Sequence, residues 1–147
     1  MADRVDDLGR LRIACELAAL CPPSETAFSV GAVIVGTDGR ELARGYSREN
    51  DPHDHAEESA LAKTAADLTG TTIYSSLEPC AERRSRPLTC SELILRAGIA
   101  RVVFAWREPS LFVEGEGLER LRAAGVEVVE LPALADLARA PNAHLLG

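Results

Sequence analysis

The sequence predicts an α/β sandwich. Five short β-branched or apolar runs alternate with stretches of helical period, and the first two runs form a tight hairpin. Strands that alternate with helices pack as one sheet covered by helices on both faces. At 147 residues and 46% hydrophobic content, the chain has material for one ordinary core and is expected to form one domain over 1–147. It carries no internal repeat, low-complexity stretch or linker composition.

Leu8, Leu11, Ala14, Cys15, Ala18 and Ala19 recur at helical spacing, and Pro22-Pro23 stops the pattern, so a helix is predicted over roughly 8–20 with Cys15 in the core. Residues 29–35 are apolar and β-branched, Thr37 to Arg40 reads as a turn, and 41–46 returns as the second strand. Residues 47–54 are polar and contain Pro52. A helix over 55–68 follows, ending near Gly70. The third strand is 71–76; Pro79 suits the first turn of a short helix, and a further helix spans 91–97 up to Gly98. The remaining elements are a strand over 101–106, a helix over 115–124 closed by Gly125, a strand over 126–131 and a terminal helix over 132–140.

The formal charge of −7 and pI near 5.0 oppose binding to phosphate polymers, so a small molecule is the expected partner rather than a nucleic acid. Residues 1–11 contain Asp3, Asp6 and Asp7 and no long apolar run, which fits neither a signal peptide nor a membrane span; a cytoplasmic protein without a membrane partner is expected. In that compartment Cys15, Cys21, Cys80 and Cys90 read as thiols or metal ligands rather than a disulfide framework.

Three of the chain's potential ligands stand in a chemically meaningful order: His55 in His55-Ala56-Glu57, Cys80 in Glu78-Pro79-Cys80, and then Cys90. One imidazole and two thiolates suit zinc, and three protein ligands leave the fourth tetrahedral position for water, as in catalytic sites. A helix N-terminus at Cys80 favours its thiolate and adds to the acidity imposed on a bound water. Glu57, two residues after His55, lies near the metal without binding it, the place for a proton carrier between water, ring nitrogen and departing amine.

These residues resemble the signature of zinc nucleobase deaminases, H-x-E followed by P-C-x-x-C with a non-ligand Glu. His-Ala-Glu and Pro-Cys match; the second cysteine departs, with nine residues, Ala81 to Thr89, before Cys90. A longer gap is similar to the pyrimidine deaminase domain of riboflavin biosynthesis, which this chain also resembles in Val30-Gly31-Ala32-Val33-Ile34-Val35, Ser76-Leu77-Glu78-Pro79-Cys80, Ala97-Gly98-Ile99-Ala100-Arg101-Val102-Val103 and Leu121-Arg122-Ala123-Ala124-Gly125-Val126. The resemblance covers roughly residues 28–131. It implies a three-layer α/β/α cytidine-deaminase-like sandwich with a five-stranded mixed sheet, a zinc ion on His55, Cys80 and Cys90, catalysis by Glu57, and a homodimer or homotetramer. The implied reaction is hydrolytic deamination, with an aminopyrimidine as the leading substrate class and the phosphoribosylated riboflavin intermediate as one candidate within it. Cytidine, deoxycytidylate, guanine or another nucleobase or nucleoside is the alternative, and a non-catalytic zinc module the competing class.

The chain departs from the riboflavin pattern where substrate contacts are expected. Ala27-Phe28-Ser29 replaces Asn-Pro-Asn, Ser47 replaces a histidine, and Glu82 to Thr89 replaces His-x-Gly-Arg-Thr-Pro-Pro. These departures predict retained chemistry with a changed ligand pocket. Phe28-Ser29-Val30-Gly31-Ala32 is similar to the Phe-x-Val-Gly-Ala of cytidine deaminases, which places the Phe28 ring near the substrate. No reductase region follows, so any later reduction is expected of another protein.

Other positions carry two readings. Arg83, Arg84 and Arg86 either clamp a phosphate or carboxylate or form a solvated loop. Ser29 and Asn50 either bind the ring or sugar or are plain strand and turn residues. Ala56 is counted among the substrate-facing positions. Trp106 and Phe112 either wall the pocket or pack in the core. His53 is a loop residue or substrate contact rather than a fourth ligand, Glu58 is expected in solvent, and Cys15 and Cys21 as buried apolar residues or free thiols.

Overall fold

A computed structural model describes residues 4–25, 27–79, 89–107 and 116–146. In chain order the elements are α1 (Arg4–Ala18), β1 (Gly31–Val35), β2 (Glu41–Tyr46), α2 (Ala56–Ala62), β3 (Thr72–Leu77), α3 (Cys90–Ala97), β4 (Arg101–Trp106), α4 (Glu116–Ala123), β5 (Glu127–Glu130) and α5 (Ala135–Arg139), the last set between 3₁₀ turns at Pro132–Leu134 and Ala140–Leu145.

The strands form one mixed sheet in the order β2-β1-β3-β4-β5. β1 runs antiparallel to both β2 and β3, whereas β3, β4 and β5 are mutually parallel. Two glycines show how closely the helical layers sit. A side chain on Gly31 would collide with the Ala14 carbonyl of α1, and one on Gly45 with the backbone of α2 at Ala56 and Ala60. In the β1–β2 register Gly31 pairs with Tyr46 and Ala32 with Gly45, so neighbouring pairs alternate faces and the two glycines meet helices on opposite sides. α5 packs with α1, while α3 packs with α2 and α4. Every residue of β1 is buried, as are β3 and β4 beyond their first residues, the pattern of strands covered on both faces.

Four elements differ from the sequence expectation by more than one residue at an end, each for an identifiable reason. α1 begins at Arg4 rather than near Leu8, because its polar first turn is packed: Asp7 is buried, accepts from Tyr74 Oη at 2.7 Å and pairs with Arg101 at 2.9 Å. β1 begins at Gly31 because side chains satisfy the preceding donors. Asn142 Oδ1 accepts from Ser29 N, Ser47 Oγ from Val30 N and Ser76 Oγ from Gly31 N. α2 stops at Ala62 instead of 68, where Thr64 Oγ1 and Asp67 Oδ1 accept from the amides of Ala66 and Thr69 and so compete with a helical ladder. The terminal helix is broken into short pieces, since Pro141 lacks the N–H that would continue it. Beyond that break Asn142 is fully buried, and its side-chain amide also donates to the Ser29 carbonyl at 2.9 Å, fastening the C-terminal turn to the entry of β1.

The Asp7 cluster gives a pH prediction. Burial alone raises the Asp7 pKa, but hydrogen bonds from Arg101 and Tyr74 and the Arg101 charge outweigh it and hold the carboxyl below its ordinary 3.8. A depressed pKa contributes stability that is present above the unfolded value and disappears as pH falls through the folded one. The melting temperature is therefore expected to drop below about pH 4. Asp7→Ala, which leaves a buried hydroxyl and a guanidinium without their acceptor, is expected to cost about 1–3 kcal/mol at pH 7 and to flatten that acid limb; an unchanged limb in thermal melts would exclude Asp7 as its source.

Cys15 is buried and its thiol is pushed up to about 12 by desolvation. Cys21 is half-buried, and burial raises its thiol although it donates to the Val30 carbonyl. In both, burial disfavours the thiolate, the reactive form. Among the described residues no helix is long and apolar enough to cross a membrane.

Candidate active site

The antiparallel placement of β1 between β2 and β3 decides where the chemistry gathers. The start of β1 adjoins the ends of both neighbours, and from those ends the chain leads to α2 and α3. The N-termini of these helices therefore meet at one edge of the sheet. His55 caps α2 with an extended backbone (φ −89°, ψ 158°), its N–H held by the Glu58 carboxylate at 3.2 Å. Glu58 is thus a capping residue, not the solvated side chain expected from the sequence. Cys90 is the first residue of α3, behind Thr89, whose hydroxyl accepts from the amide of Glu92.

Nδ1 of His55 lies 3.3 Å from Sγ of Cys90, and Cys90 is fully buried. Donors roughly 2.0–2.1 Å and 2.3 Å from a tetrahedral zinc sit about 3.5 Å apart, so this imidazole–thiol pair has the composition and spacing of two zinc ligands. Both stand where helix dipoles favour negative charge. The third expected ligand, Cys80, lies outside the described residues, as do Arg83, Arg84, Arg86, Phe112 and the short helix expected after Pro79. Among the described residues no group of three His, Cys, Asp or Glu side chains is assembled as a metal set.

Beside the pair opens a cavity of about 300 Å³ lined by His55, Ala56 and Glu57 on the α2 side and by Phe28, Arg48 and Glu78 among others. Glu57 is buried, with 3% of its surface exposed. A second cavity of about 580 Å³ lies at the other end of the sheet, where Arg101 is already engaged by Asp7 and Glu127; it contains neither His nor Cys.

The other expected contacts divide. Phe28 and Ala56 line the cavity and so does His53, while Ser29, Asn50 and Trp106 are not among its lining residues. Ser29 is buried and its polar atoms serve Asn142 and Arg48, and Asn50 is exposed on the loop. Trp106 is buried behind Phe28, edge to face with ring centroids 5.6 Å apart, with the Arg139 guanidinium 5.6 Å from its own ring centre. It supports the cavity lining from behind. Its indole N–H has no hydrogen-bond partner among the described residues.

Several lining residues had no role assigned from the sequence, Glu78 and Arg48 among them. Glu78 belongs to the Ser-Leu-Glu-Pro-Cys run and was available as a buried carboxylate next to a ligand. Arg48 had no local signal. It combines a left-handed backbone, φ 59°, with side-chain bonds to Pro22, Phe28 and Ser29.

Comparison with known proteins places this geometry. The diaminohydroxyphosphoribosylamino-pyrimidine deaminase of Schizosaccharomyces pombe is 41% identical over 118 residues, 77% of this chain and 29% of that protein. The riboflavin biosynthesis protein RibD of Aquifex aeolicus is 41% identical over 100 residues, 68% of this chain and 27% of that protein. The chain thus spans less than a third of these curated relatives. Among solved structures, Acinetobacter baumannii RibD superposes with a TM-score of 0.83 at 33% identity, covering 95% of this chain and 38% of that one. The Aspergillus oryzae Rib2 deaminase in complex with DARIPP superposes with a TM-score of 0.78 at 26% identity, covering 96% of each chain. The fold is the cytidine-deaminase-like sandwich. Residues 6–106 match the profile of the cytidine and deoxycytidylate deaminase zinc-binding region, and the chain belongs to that family.

Proposed function

We propose that this chain is a hydrolytic deaminase of an aminated pyrimidine, with the phosphoribosylated diaminopyrimidine of riboflavin synthesis as its substrate. The observation that carries the reading is the contact of His55 with buried Cys90 beside a cavity that Glu57 lines. His55, Cys80 and Cys90 would hold zinc, whose chemistry when bound is to acidify water and polarise it for attack. Glu57 accepts one proton of the attacking water and passes it to the ring nitrogen, then takes up the remaining hydroxyl proton as the C=O forms and delivers it to the departing amine, so that one C–O bond forms, one C–N bond breaks and ammonia leaves. A buried carboxylate suits this shuttle because bulk water competes little for the proton. Phe28 offers its ring to the heterocycle. Arg83 and Arg86 are the proposed holders of a substrate phosphate. The chain is further proposed to act in the cytoplasm as one domain and as a homodimer or homotetramer.

Support comes from relatives named for the diaminohydroxyphosphoribosylamino-pyrimidine reaction and from a neighbour solved with DARIPP. The test is ammonia release by zinc-loaded protein on the phosphoribosyl diaminopyrimidine, its dephosphorylated form, cytidine, deoxycytidylate and guanine. Release from the first alone is the expected result. Release from cytidine or deoxycytidylate instead would overturn the substrate, and release from none would overturn the enzyme.

A further inference from the structure

Arg48 sits at the point where β2 has ended and the chain turns toward α2, and it is the only described residue other than glycine with a positive φ. Such a backbone costs on the order of 1–3 kcal/mol unless its surroundings fix it, and here they do. The Arg48 amide donates to the carbonyl of Asp54, the residue before His55, at 2.9 Å. Its guanidinium donates the other way: to the Pro22 carbonyl at 2.8 and 3.1 Å, the Phe28 carbonyl at 3.1 Å and Ser29 Oγ at 2.7 Å. The next residue, Glu49, is bound to α2 through Ser59 Oγ at 2.6 Å and Lys63 Nζ at 2.6 and 2.7 Å. One residue therefore joins the segment bearing the Phe28 ring to the segment bearing His55 and Glu57, and its neighbour fastens the same loop to the helix.

We infer that Arg48 is a positioning residue that sets the separation between Phe28 and the His55–Glu57 segment across the cavity, and thereby the affinity for the heterocycle. The inference rests on the deaminase reading for its kinetic consequence. Its structural half does not, because Phe28 packs on Trp106, the chain's one tryptophan, and indole fluorescence reports the seating of that ring without any substrate. These four side-chain bonds need a planar fork of donors that Lys does not reproduce.

The test compares Arg48→Asn, which tolerates a left-handed backbone and keeps the amide bond to Asp54, with Arg48→Lys. Arg48→Asn is expected to raise KM about tenfold, the equivalent of about 1.4 kcal/mol, while kcat stays within about threefold and zinc content is unchanged. Acrylamide quenching of Trp106 is expected to rise, with Arg48→Lys intermediate in both readouts. A folded Arg48→Asn with wild-type KM and quenching would overturn the inference, as would a fall in kcat at constant KM. If Arg48→Asn fails to fold, Ser29→Ala, which removes one acceptor, decides: a smaller shift in the same two readouts supports the inference and no shift in either overturns it. If the wild-type protein turns over none of the substrates, the deaminase reading falls, and the quenching comparison still decides whether Arg48 seats Phe28.

Discussion

Glu57→Gln is expected to lower turnover by about 10²–10⁴-fold while zinc content and melting temperature stay near wild type. The amide has nearly the same size and can still occupy the second position of α2, so the packing around this buried side chain is preserved. What it cannot do is accept a proton and return it. Glutamine offers the ring nitrogen a hydrogen bond but no transferable proton, so bond formation to water and departure of the amine both lose their carrier. Parallel steady-state kinetics and metal analysis check the expectation. Near-normal turnover in a zinc-loaded Glu57→Gln would remove Glu57 from the proton path and direct attention to the other carboxylates lining the cavity, Asp54 and Glu78.

Cys90→Ala is expected to weaken zinc binding more than about 100-fold, because even outer-shell changes around a zinc site cost 10–100-fold and this one removes a ligand. Sγ of Cys90 stands 3.3 Å from Nδ1 of His55 and has no exposed surface, so no solvent oxygen readily takes its place. The variant should fold, since it removes one buried atom at the first position of a helix whose cap, Thr89, is untouched. Metal retained after dialysis at wild-type levels would show that Cys90 is a packing thiol like Cys15.

The parts legible in the sequence were those governed by local pattern. The hairpin from β1 to β2 follows from a β-branched run and a turn at Thr37 to Arg40, and α3 from its period and the stop at Gly98. His-Ala-Glu carried its meaning in the spacing of three residues. What was not legible depended on partners distant in the chain. The start of α1 is stabilised by a contact between Asp7 and Arg101, 94 residues apart, and the start of β1 by Asn142, 113 residues from Ser29. Arg48 was missed for the same reason, as its partners lie 19 to 26 residues away and its backbone conformation has no composition signal in a non-glycine residue. Ser29 and Trp106 were expected near the substrate from their position in the chain, yet Ser29 is taken up by Arg48 and Asn142, and Trp106 lies one ring behind the cavity. Secondary structure placed these residues at the right end of the sheet, and only tertiary packing separates a side chain that lines a cavity from one that supports it.

Cobalt titration of the metal-free protein addresses most directly whether His55, Cys80 and Cys90 share one ion. The expected result is tetrahedral absorption with thiolate-to-metal charge transfer, saturating at about one ion per chain, with the charge-transfer intensity reduced in Cys80→Ala and in Cys90→Ala. A folded wild-type chain that takes up no cobalt, or binds it with a spectrum that neither cysteine substitution changes, would contradict it.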